Sequence, residues 1–122
     1  RDVARVYQML LNGGEIDGQR YLSKETCQLF TTETSKISRR GLGFDKPDAD
    51  DPKKGNCAPA APAEVYGHTG FTGTCAWVDP MNELVYVFLS NRIYPDVTNR
   101  KLNQLHIRER IQGAIYDAMK KK

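Results

Sequence analysis

Hydrophobic residues recur at helical spacing near both ends of the chain. Between positions 3 and 11 an apolar side chain returns every three or four residues, which predicts a helix that Asp2 caps and an Asn-Gly-Gly sequence at 12–14 ends. Near the other end, one apolar face predicts a terminal helix, formed by Ile107, Ile111, Ala114, Ile115, Ala118 and Met119. Predicted helices therefore bracket the middle of the sequence.

Shorter elements and a long loop follow the first helix. Residues 16–22 predict a small hairpin that turns at an Asp-Gly pair, and Ser23 is placed to cap a short helix. A Gly-Leu-Gly-Phe sequence at 41–44 predicts a strand. Residues 45–64 then contain four prolines and four aspartates. We interpret this Pro/Asp-rich segment as a long loop, which in a compact domain is either disordered or a functional rim.

Three segments in the second half of the chain predict β-strands. Residues 65–70, 73–78 and 84–90 are rich in β-branched and aromatic side chains. An Asp-Pro-Met-Asn sequence supplies a turn between the last two. We interpret Trp77 and Tyr86 as cross-strand packing residues rather than as a substrate platform. Together these segments predict an antiparallel meander.

The last predicted strand is unusual because residues 84–89 are apolar on both faces. Both sides of this strand should therefore be covered, most simply by helices. The terminal helix can cover one side, and the sequence does not reveal the other cover. The predicted fold class is α+β, an antiparallel sheet meander with a C-terminal helix packed on it, within one domain over residues 1–122.

Composition is ordinary for a small globular domain. The chain has 122 residues, of which 39% are hydrophobic and 27% charged. No run of about 18 apolar residues predicts a membrane span, and the first residues lack the apolar core of a signal peptide. Because helical spacing begins at the third residue, we expect this sequence to begin inside a longer protein.

The net formal charge of +3 is unevenly distributed. Residues 100–122 contain seven lysines or arginines against Glu109 and Asp117. These cations are scattered, and the final three lysines lie where positive charge favours the C-terminal end of a helix. Because no nucleic-acid reader motif accompanies them, nucleic acid is not an expected partner.

The three cysteines and two histidines form a poor metal-binding pattern. Cys27, Cys57 and Cys75 are widely spaced without a Cys-x-x-Cys sequence, and only His68 and His106 could add imidazole ligands. We therefore expect no metal and no other cofactor. An odd cysteine count leaves at least one thiol free, and the first and third cysteines are interpreted as buried apolar residues. His106 is interpreted as a helix-surface or partly packed residue.

One strand segment raises a chemical question. The sequence Tyr-Gly-His-Thr-Gly-Phe-Thr-Gly-Thr at 66–74 places a histidine among three glycines. Taken alone, this pattern is more typical of a turn with a structural histidine than of a catalytic site. Its place in the chain changes that interpretation, because it follows a helix, an Asn-Gly-Gly turn, a Leu-Ser-x-Glu-Thr helix and a Gly-Leu-Gly-Phe segment, and precedes a meander and a terminal helix.

This order resembles the C-terminal half of the serine β-lactamase and penicillin-binding-protein superfamily. The resemblance is to its branch of class C β-lactamases, D-alanyl peptidases and esterases, and it covers nearly the whole chain. Its strongest segments are residues 2–26, 66–74 and 84–95. The resemblance implies a partial β-lactamase/transpeptidase-like fold. More loosely, residues 66–95 are similar to β-lactamase-type modules fused behind glycoside hydrolases in some gut bacteria, which implies such a domain as a fusion partner.

In that superfamily three motifs meet around the substrate: Ser-x-x-Lys with the nucleophile, Tyr-x-Asn or a variant, and Lys-Thr-Gly on an inner strand. Only the third has a counterpart here, at residues 68–70. No Ser-x-x-Lys is present; Ser35, for example, is followed at the third position by Ser38. The resemblance therefore implies that the chain lacks the nucleophile and its base, and that it is inactive alone.

The resemblance also implies a role for four residues. Attack by serine on an acyl carbonyl creates an oxyanion, which backbone N–H groups stabilise. One of these donors is implied to be the Phe71 N–H. Gly70 lets a substrate lie close to the strand, Thr69 offers a hydroxyl to a substrate carboxylate, and His68 shapes or protonates groups near the leaving side.

Histidine at the first motif position changes the expected substrate. Lysine would hold a fixed positive charge there, whereas histidine loses most of its charge near neutral pH. Members of the branch with His-Thr-Gly include peptidase-like and esterase-like proteins. The chain is therefore not expected to represent a β-lactamase by activity.

The leading hypothesis is an incomplete acyl-transfer domain of a serine hydrolase. Its implied partners are the missing N-terminal half of the same domain and an acyl substrate, which is a peptide, ester or lactam. The alternative is a noncatalytic binding or assembly module with the same fold. Self-association is expected, because the apolar strand at 84–89 and an unpaired sheet edge invite pairing. The resemblance implies a periplasmic or cell-envelope location.

Overall fold

The computed structural model describes residues 1–32, 35–48, 50–51 and 55–121. Its elements in chain order are α1 (Asp2–Leu11), β1 (Glu15–Ile16), β2 (Gln19–Arg20), α2 (Lys24–Thr31), β3 (Tyr66–Thr69), β4 (Cys75–Asp79), β5 (Leu84–Phe88), α3 (Lys101–Gln104) and α4 (Ile107–Met119). The predicted α+β class is confirmed, although the sequence pattern did not predict α3. Among the described helices, none is long and apolar enough to cross a bilayer.

The two N-terminal helices begin in different ways. Asp2 is the first residue of α1 rather than its cap, and Arg1 occupies the cap position without a side-chain hydrogen bond. The prediction of an Asp2 cap is therefore wrong, but its carboxylate lies in the first turn, where the helix dipole favours negative charge. Ser23 does cap α2, because its Oγ accepts a hydrogen bond from the Thr26 N–H at 3.0 Å.

The predicted hairpin joins β1 to β2. Its two turn residues, Asp17 and Gly18, have φ angles of 53° and 75°, as a two-residue hairpin turn of type I′ requires. Arg20 pairs with Glu15 across the hairpin at 2.9 Å. The hairpin prediction is confirmed.

The predicted meander is an antiparallel sheet in which β4 lies between β3 and β5. Gly67 pairs with Trp77, and Trp77 pairs with Tyr86 on the other side. Each strand begins and ends within two residues of its prediction. Because side chains alternate between the faces of a strand, Trp77 and Tyr86 share one face, and Tyr66 lies on the other.

The terminal helix α4 covers the face that carries Trp77. A buried cluster forms there from Cys57, Val65, Cys75, Trp77 and Tyr86, with Ile115 of α4 packed against it. The Tyr86 hydroxyl donates to the Arg108 carbonyl at 3.1 Å, and the Tyr116 hydroxyl donates to Asp79 Oδ2 at 2.8 Å. These contacts confirm the packing of the terminal helix on the meander and the packing role of Trp77 and Tyr86.

The first helix α1 lies against β4 and β5 from the other side. An edge-to-face chain of rings links it to the sheet: Tyr7 and Phe44 have centroids 6.2 Å apart, and Phe44 and Tyr66 are 5.4 Å apart. The expectation that helices cover both sides of β5 is confirmed. The second cover, which the sequence did not reveal, is α1.

Residues 41–44 form a turn instead of the predicted strand. The Gly41 N–H donates to the Phe44 carbonyl at 3.1 Å, and Gly43 has a φ angle of 103°. The next residue, Asp45, reaches the sheet as an isolated antiparallel bridge to Gly67. The strand prediction failed because Phe44 uses its ring to connect α1 with β3, while the neighbouring glycines let the main chain turn.

The described part of the Pro/Asp-rich segment packs against the core and α4. Cys57 and Ala58 are buried, and the Ala58 N–H donates to Gln112 Oε1 of α4 at 2.7 Å. In its described residues the segment therefore packs against α4 beside the core. Positions 49 and 52–54 lie outside the described residues.

Candidate functional site

The outer edge of β3 is only partly covered. Main-chain groups of an antiparallel strand point alternately to its two edges. Those of Gly67 point outward and exchange two hydrogen bonds with Asp45, at 2.7 and 3.0 Å. By the same alternation the main chain of Thr69, the last residue of β3, faces this outer edge, and Phe71 lies in the turn that follows. Within the described ranges, no carbonyl accepts a hydrogen bond from the Phe71 N–H.

A tight turn follows β3 and holds Phe71. The Gly70 N–H donates to the Thr74 carbonyl at 2.8 Å, and the Gly73 N–H donates back to the Gly70 carbonyl at 3.0 Å. Gly73 has a φ angle of 94°, which favours glycine. These two hydrogen bonds fix the main chain on either side of Phe71.

The segment after β5 ties down the same turn. The Arg92 N–H and the Ser90 hydroxyl both donate to the Thr72 carbonyl, at 2.9 and 3.2 Å. The Arg92 guanidinium carbon lies 4.8 Å from the centroid of the Phe71 ring, within the range of a cation–π contact. Sequence reasoning missed these two partners, and the available signal was the Ser-Asn-Arg sequence that directly follows the apolar strand.

His68 is exposed on β3, and its ring makes one defined contact. Its Nδ1 lies 2.7 Å from the Thr69 carbonyl oxygen. A carbonyl can only accept, so this contact places a proton on Nδ1. In the neutral ring the lone pair then lies on the other nitrogen, Nε2.

Gly67, just before the histidine, is a residue that sequence reasoning did not single out. A Cβ atom built on it would lie 2.1 Å from the Ala76 carbonyl oxygen and 2.7 Å from Trp77 Cε3. Any side chain would therefore push β3 away from β4. Glycine at this position lets Trp77 pack directly beneath the strand that carries the candidate site.

A buried carboxylate supports the same strand from outside. Asp45 is 1% exposed and forms an ion pair with Arg39, whose Nε lies 2.9 Å from Oδ1. Asn56 Nδ2 donates to its other oxygen at 2.9 Å. The Asp45 main chain pairs with Gly67 at the outer edge of β3. The side-chain network therefore holds Asp45 in place at this edge, up to the position of Gly67.

The three cysteine thiols have low reactivity. All are free and buried. Burial raises the pKa of Cys57 to about 12 and that of Cys75 to about 11, and it also raises the pKa of Cys27. Since a thiolate is the reactive form, none of the three is a nucleophile near neutral pH. The interpretation of Cys27 and Cys75 as buried apolar residues is confirmed.

The other histidine and the possible metal ligands do not belong to the outer edge of β3. His106 is exposed and precedes α4 with a φ angle of 49°. In the part of the chain that the structure describes, no group of three potential ligands could hold a metal ion.

All four predicted site residues lie at one end of β3. Thr69 ends the strand, Gly70 and Phe71 follow it into the turn, and the His68 ring lies beside the Thr69 carbonyl. Among the described residues, this arrangement offers a main-chain N–H at Phe71 that makes no hydrogen bond, the Thr69 hydroxyl and an imidazole ring. The roles assigned to these residues stay predictions.

Comparisons with known proteins give a consistent result. The family model described as Beta-lactamase matches residues 1–109. The chain is 33% identical over 102 residues to a protein of Escherichia coli O157:H7 named putative D-alanyl-D-alanine carboxypeptidase, and 32% identical to proteins of the same name in E. coli K12 and Salmonella typhi. Each match covers 84% of this chain and 23% of the relative, so the chain spans about a quarter of these relatives.

A solved structure is similar as well. The crystal structure of a penicillin-binding protein homologue from Caulobacter crescentus superposes with a TM-score of 0.57 and 26% sequence identity. The match covers 73% of this chain and 24% of that one.

Proposed function

Because this chain belongs to the beta-lactamase family, we propose that it is the C-terminal portion of a single serine-hydrolase domain, extending over residues 1–122. The domain transfers the acyl group of its substrate to a serine and then to water. The sequence contains no Ser-x-x-Lys, so the nucleophile and its base come from the rest of the domain. That missing part is the first partner of this chain.

The observation that carries this proposal is the outer edge of β3 at Thr69, next to Phe71, where the described residues supply no partner strand. Upstream, the edge is occupied by Asp45, and the turn that follows is fixed by its own hydrogen bonds. An extended substrate can therefore pair with the strand at Thr69, as peptides do when they add to a sheet edge. Its acyl carbonyl then reaches the Phe71 N–H.

Each residue of this edge has a defined task in the proposed reaction. The Phe71 N–H donates to the oxyanion that forms when serine attacks the carbonyl. Thr69 supplies a hydroxyl to the substrate, and Gly70 keeps the strand surface free of a side chain. His68 uses Nε2 to exchange a proton with groups near the leaving side. The hydrogen bond from its Nδ1 to the Thr69 carbonyl fixes the orientation of the ring.

The proposed substrates are peptides or esters in preference to lactam antibiotics. The first motif position holds His68 instead of a permanently charged lysine, which weakens the attraction for a substrate carboxylate at this point. A periplasmic or cell-envelope location is part of the same proposal, because peptides that end in D-alanine occur in the bacterial cell wall.

Labelling of the full-length protein with a fluorescent fluorophosphonate tests this proposal. We expect one labelled serine, in a Ser-x-x-Lys sequence outside residues 1–122, and no label after heat denaturation. The separately produced chain 1–122 should take up no label and should hydrolyse no β-lactam, D-alanyl peptide or simple ester. Absence of label from the folded full-length protein, or label on Ser23, Ser35, Ser38 or Ser90, contradicts the proposal.

A further inference from the structure

A cavity adjoins Phe71 of the candidate site. It has a volume of about 420 Å³ and is lined by Phe71, Arg92, Val97, Thr98, Arg100 and Asn103. The Phe71 ring therefore forms part of the wall of a pocket that also contains two arginines. The proposed reaction does not use this pocket.

The two arginines keep most of their donors available. Within the described ranges neither forms an ion pair. The Arg92 side chain makes one long hydrogen bond, from Nη1 to the Val97 carbonyl at 3.5 Å. The nearest acid along the chain, Asp96, already accepts from the Thr98 N–H at 2.8 Å and from its hydroxyl at 2.7 Å. Among the described residues, the positive charge of the cavity therefore has no ion-pair partner.

One arginine is also held in place before any ligand arrives. The guanidinium of Arg92 stacks on the Phe71 ring at 4.8 Å, and its main-chain N–H is bonded to the Thr72 carbonyl. A stacked guanidinium still presents its edge N–H groups, which match the two oxygens of a carboxylate. Holding the donor in advance lowers the entropy lost on binding.

We infer that Arg92 and Arg100 form a subsite for a carboxylate on the acyl part of the substrate, an inference that rests on the proposed function. The fixed positive charge that is missing at position 68 is then supplied by these two arginines, which share a cavity with Phe71. Substrates whose acyl chain ends in a carboxylate are selected over neutral ones of equal length. Thr98 and Asn103 add polar groups to the same wall.

Steady-state kinetics of the full-length protein with two matched esters test the subsite. The probes are para-nitrophenyl hexanoate and mono-para-nitrophenyl adipate, which have the same acyl chain length and differ in a terminal carboxylate. We expect a higher kcat/KM for the adipate ester. Arg100→Gln should lower the adipate-to-hexanoate ratio of kcat/KM by about tenfold or more, as for loss of one charge-assisted hydrogen bond. Arg92→Gln should lower the same ratio.

The neighbouring Lys101→Gln is the matched control, because this exposed residue carries the same charge and does not line the cavity. It should leave the ratio within about twofold, since an exposed charge that does not line the cavity is screened by water and salt. Hydrolysis of both esters with no preference, or an equal effect of Lys101→Gln, overturns the subsite alone. Hydrolysis of neither ester, together with absence of serine labelling, overturns the proposed function and the subsite with it.

Discussion

Phe71 contributes two separate groups to the proposed site, a main-chain N–H and an exposed ring. Replacing Phe71 with Pro in the full-length protein removes the N–H, and turnover should fall by roughly 100- to 1000-fold, the usual loss for one oxyanion donor. Replacing it with Ala keeps the N–H and removes the ring. The alanine variant should retain most of its turnover on neutral esters. The measurement is kcat for each variant.

Thermal unfolding of both variants is the control for this comparison, because proline can also disrupt the strand end. Phe71 is 71% exposed, so loss of its ring should change stability little. A folded proline variant with near-parental turnover would remove Phe71 from the oxyanion site. If both variants lose activity in step with their folded fraction, the segment is structural.

At the same scale, the sequence singled out His68, Thr69, Gly70 and Phe71 as candidate site residues through a motif and its place in the chain. It did not identify Gly67, Arg92 or Asp45, because their importance lies in contacts with distant segments. Asp45, for example, looked like one of several loop aspartates, and only its bridge to Gly67 shows that it supports β3.

At the scale of elements, β3 and α4 each contain a glycine at which an added methyl group has the opposite effect. In Gly113→Ala, nothing lies within 4 Å of the new Cβ, and alanine favours a helix interior over glycine by about 0.5–1 kcal/mol. In Gly67→Ala, the new Cβ would lie 2.1 Å from a carbonyl oxygen of β4. We expect Gly113→Ala to raise the free energy of unfolding by about 0.5–1 kcal/mol. Gly67→Ala should lower the free energy of unfolding by roughly 1–3 kcal/mol.

Urea unfolding of the protein that contains this chain measures both changes on one scale. The two variants add the same methyl group, so their difference isolates the local environment. A stabilised Gly67→Ala variant would mean that β3 does not lie directly against Trp77. A destabilised Gly113→Ala variant would mean that the open space beside α4 is filled.

The elements also show where periodicity is a sufficient guide and where it is not. The helical spacing of α1 and α4 and the β-branched runs of β4 and β5 predicted these elements, because each buries a regular face. Residues 41–44 had a strand-like pattern, yet their apolar ring serves a contact between α1 and β3. Four mostly polar residues form α3, and they carry no periodic signal.

At the scale of the whole molecule, β5 is an edge strand: among the described residues, its hydrogen-bonding edge away from β4 has no partner strand. Such an edge, with Leu89 beside it at 63% exposure, should promote association of chain 1–122 when it is produced alone. We expect a mass above the monomer by light scattering at about 100 μM, and a return toward the monomer in Leu89→Lys, since an edge lysine opposes strand pairing.

Met81→Lys is the matched control for the association experiment. Met81 is 65% exposed in the turn between β4 and β5, so the substitution adds the same charge away from the strand edge. It should not change the measured mass. A monomeric parent chain at this concentration would contradict the prediction, and equal dissociation by both lysines would point to net charge instead of the edge.

The sequence by itself determined the α+β class, the meander, the terminal helix and the motif at 68–70, because these depend on local periodicity and on residue order. Only the tertiary structure decided that α1 covers the second face of the sheet, that the Pro/Asp-rich segment packs on the core, and that Arg92 stacks on Phe71. Each of these joins segments far apart in the chain. The relative positions of such segments follow from how all the apolar faces pack together, which no local pattern specifies.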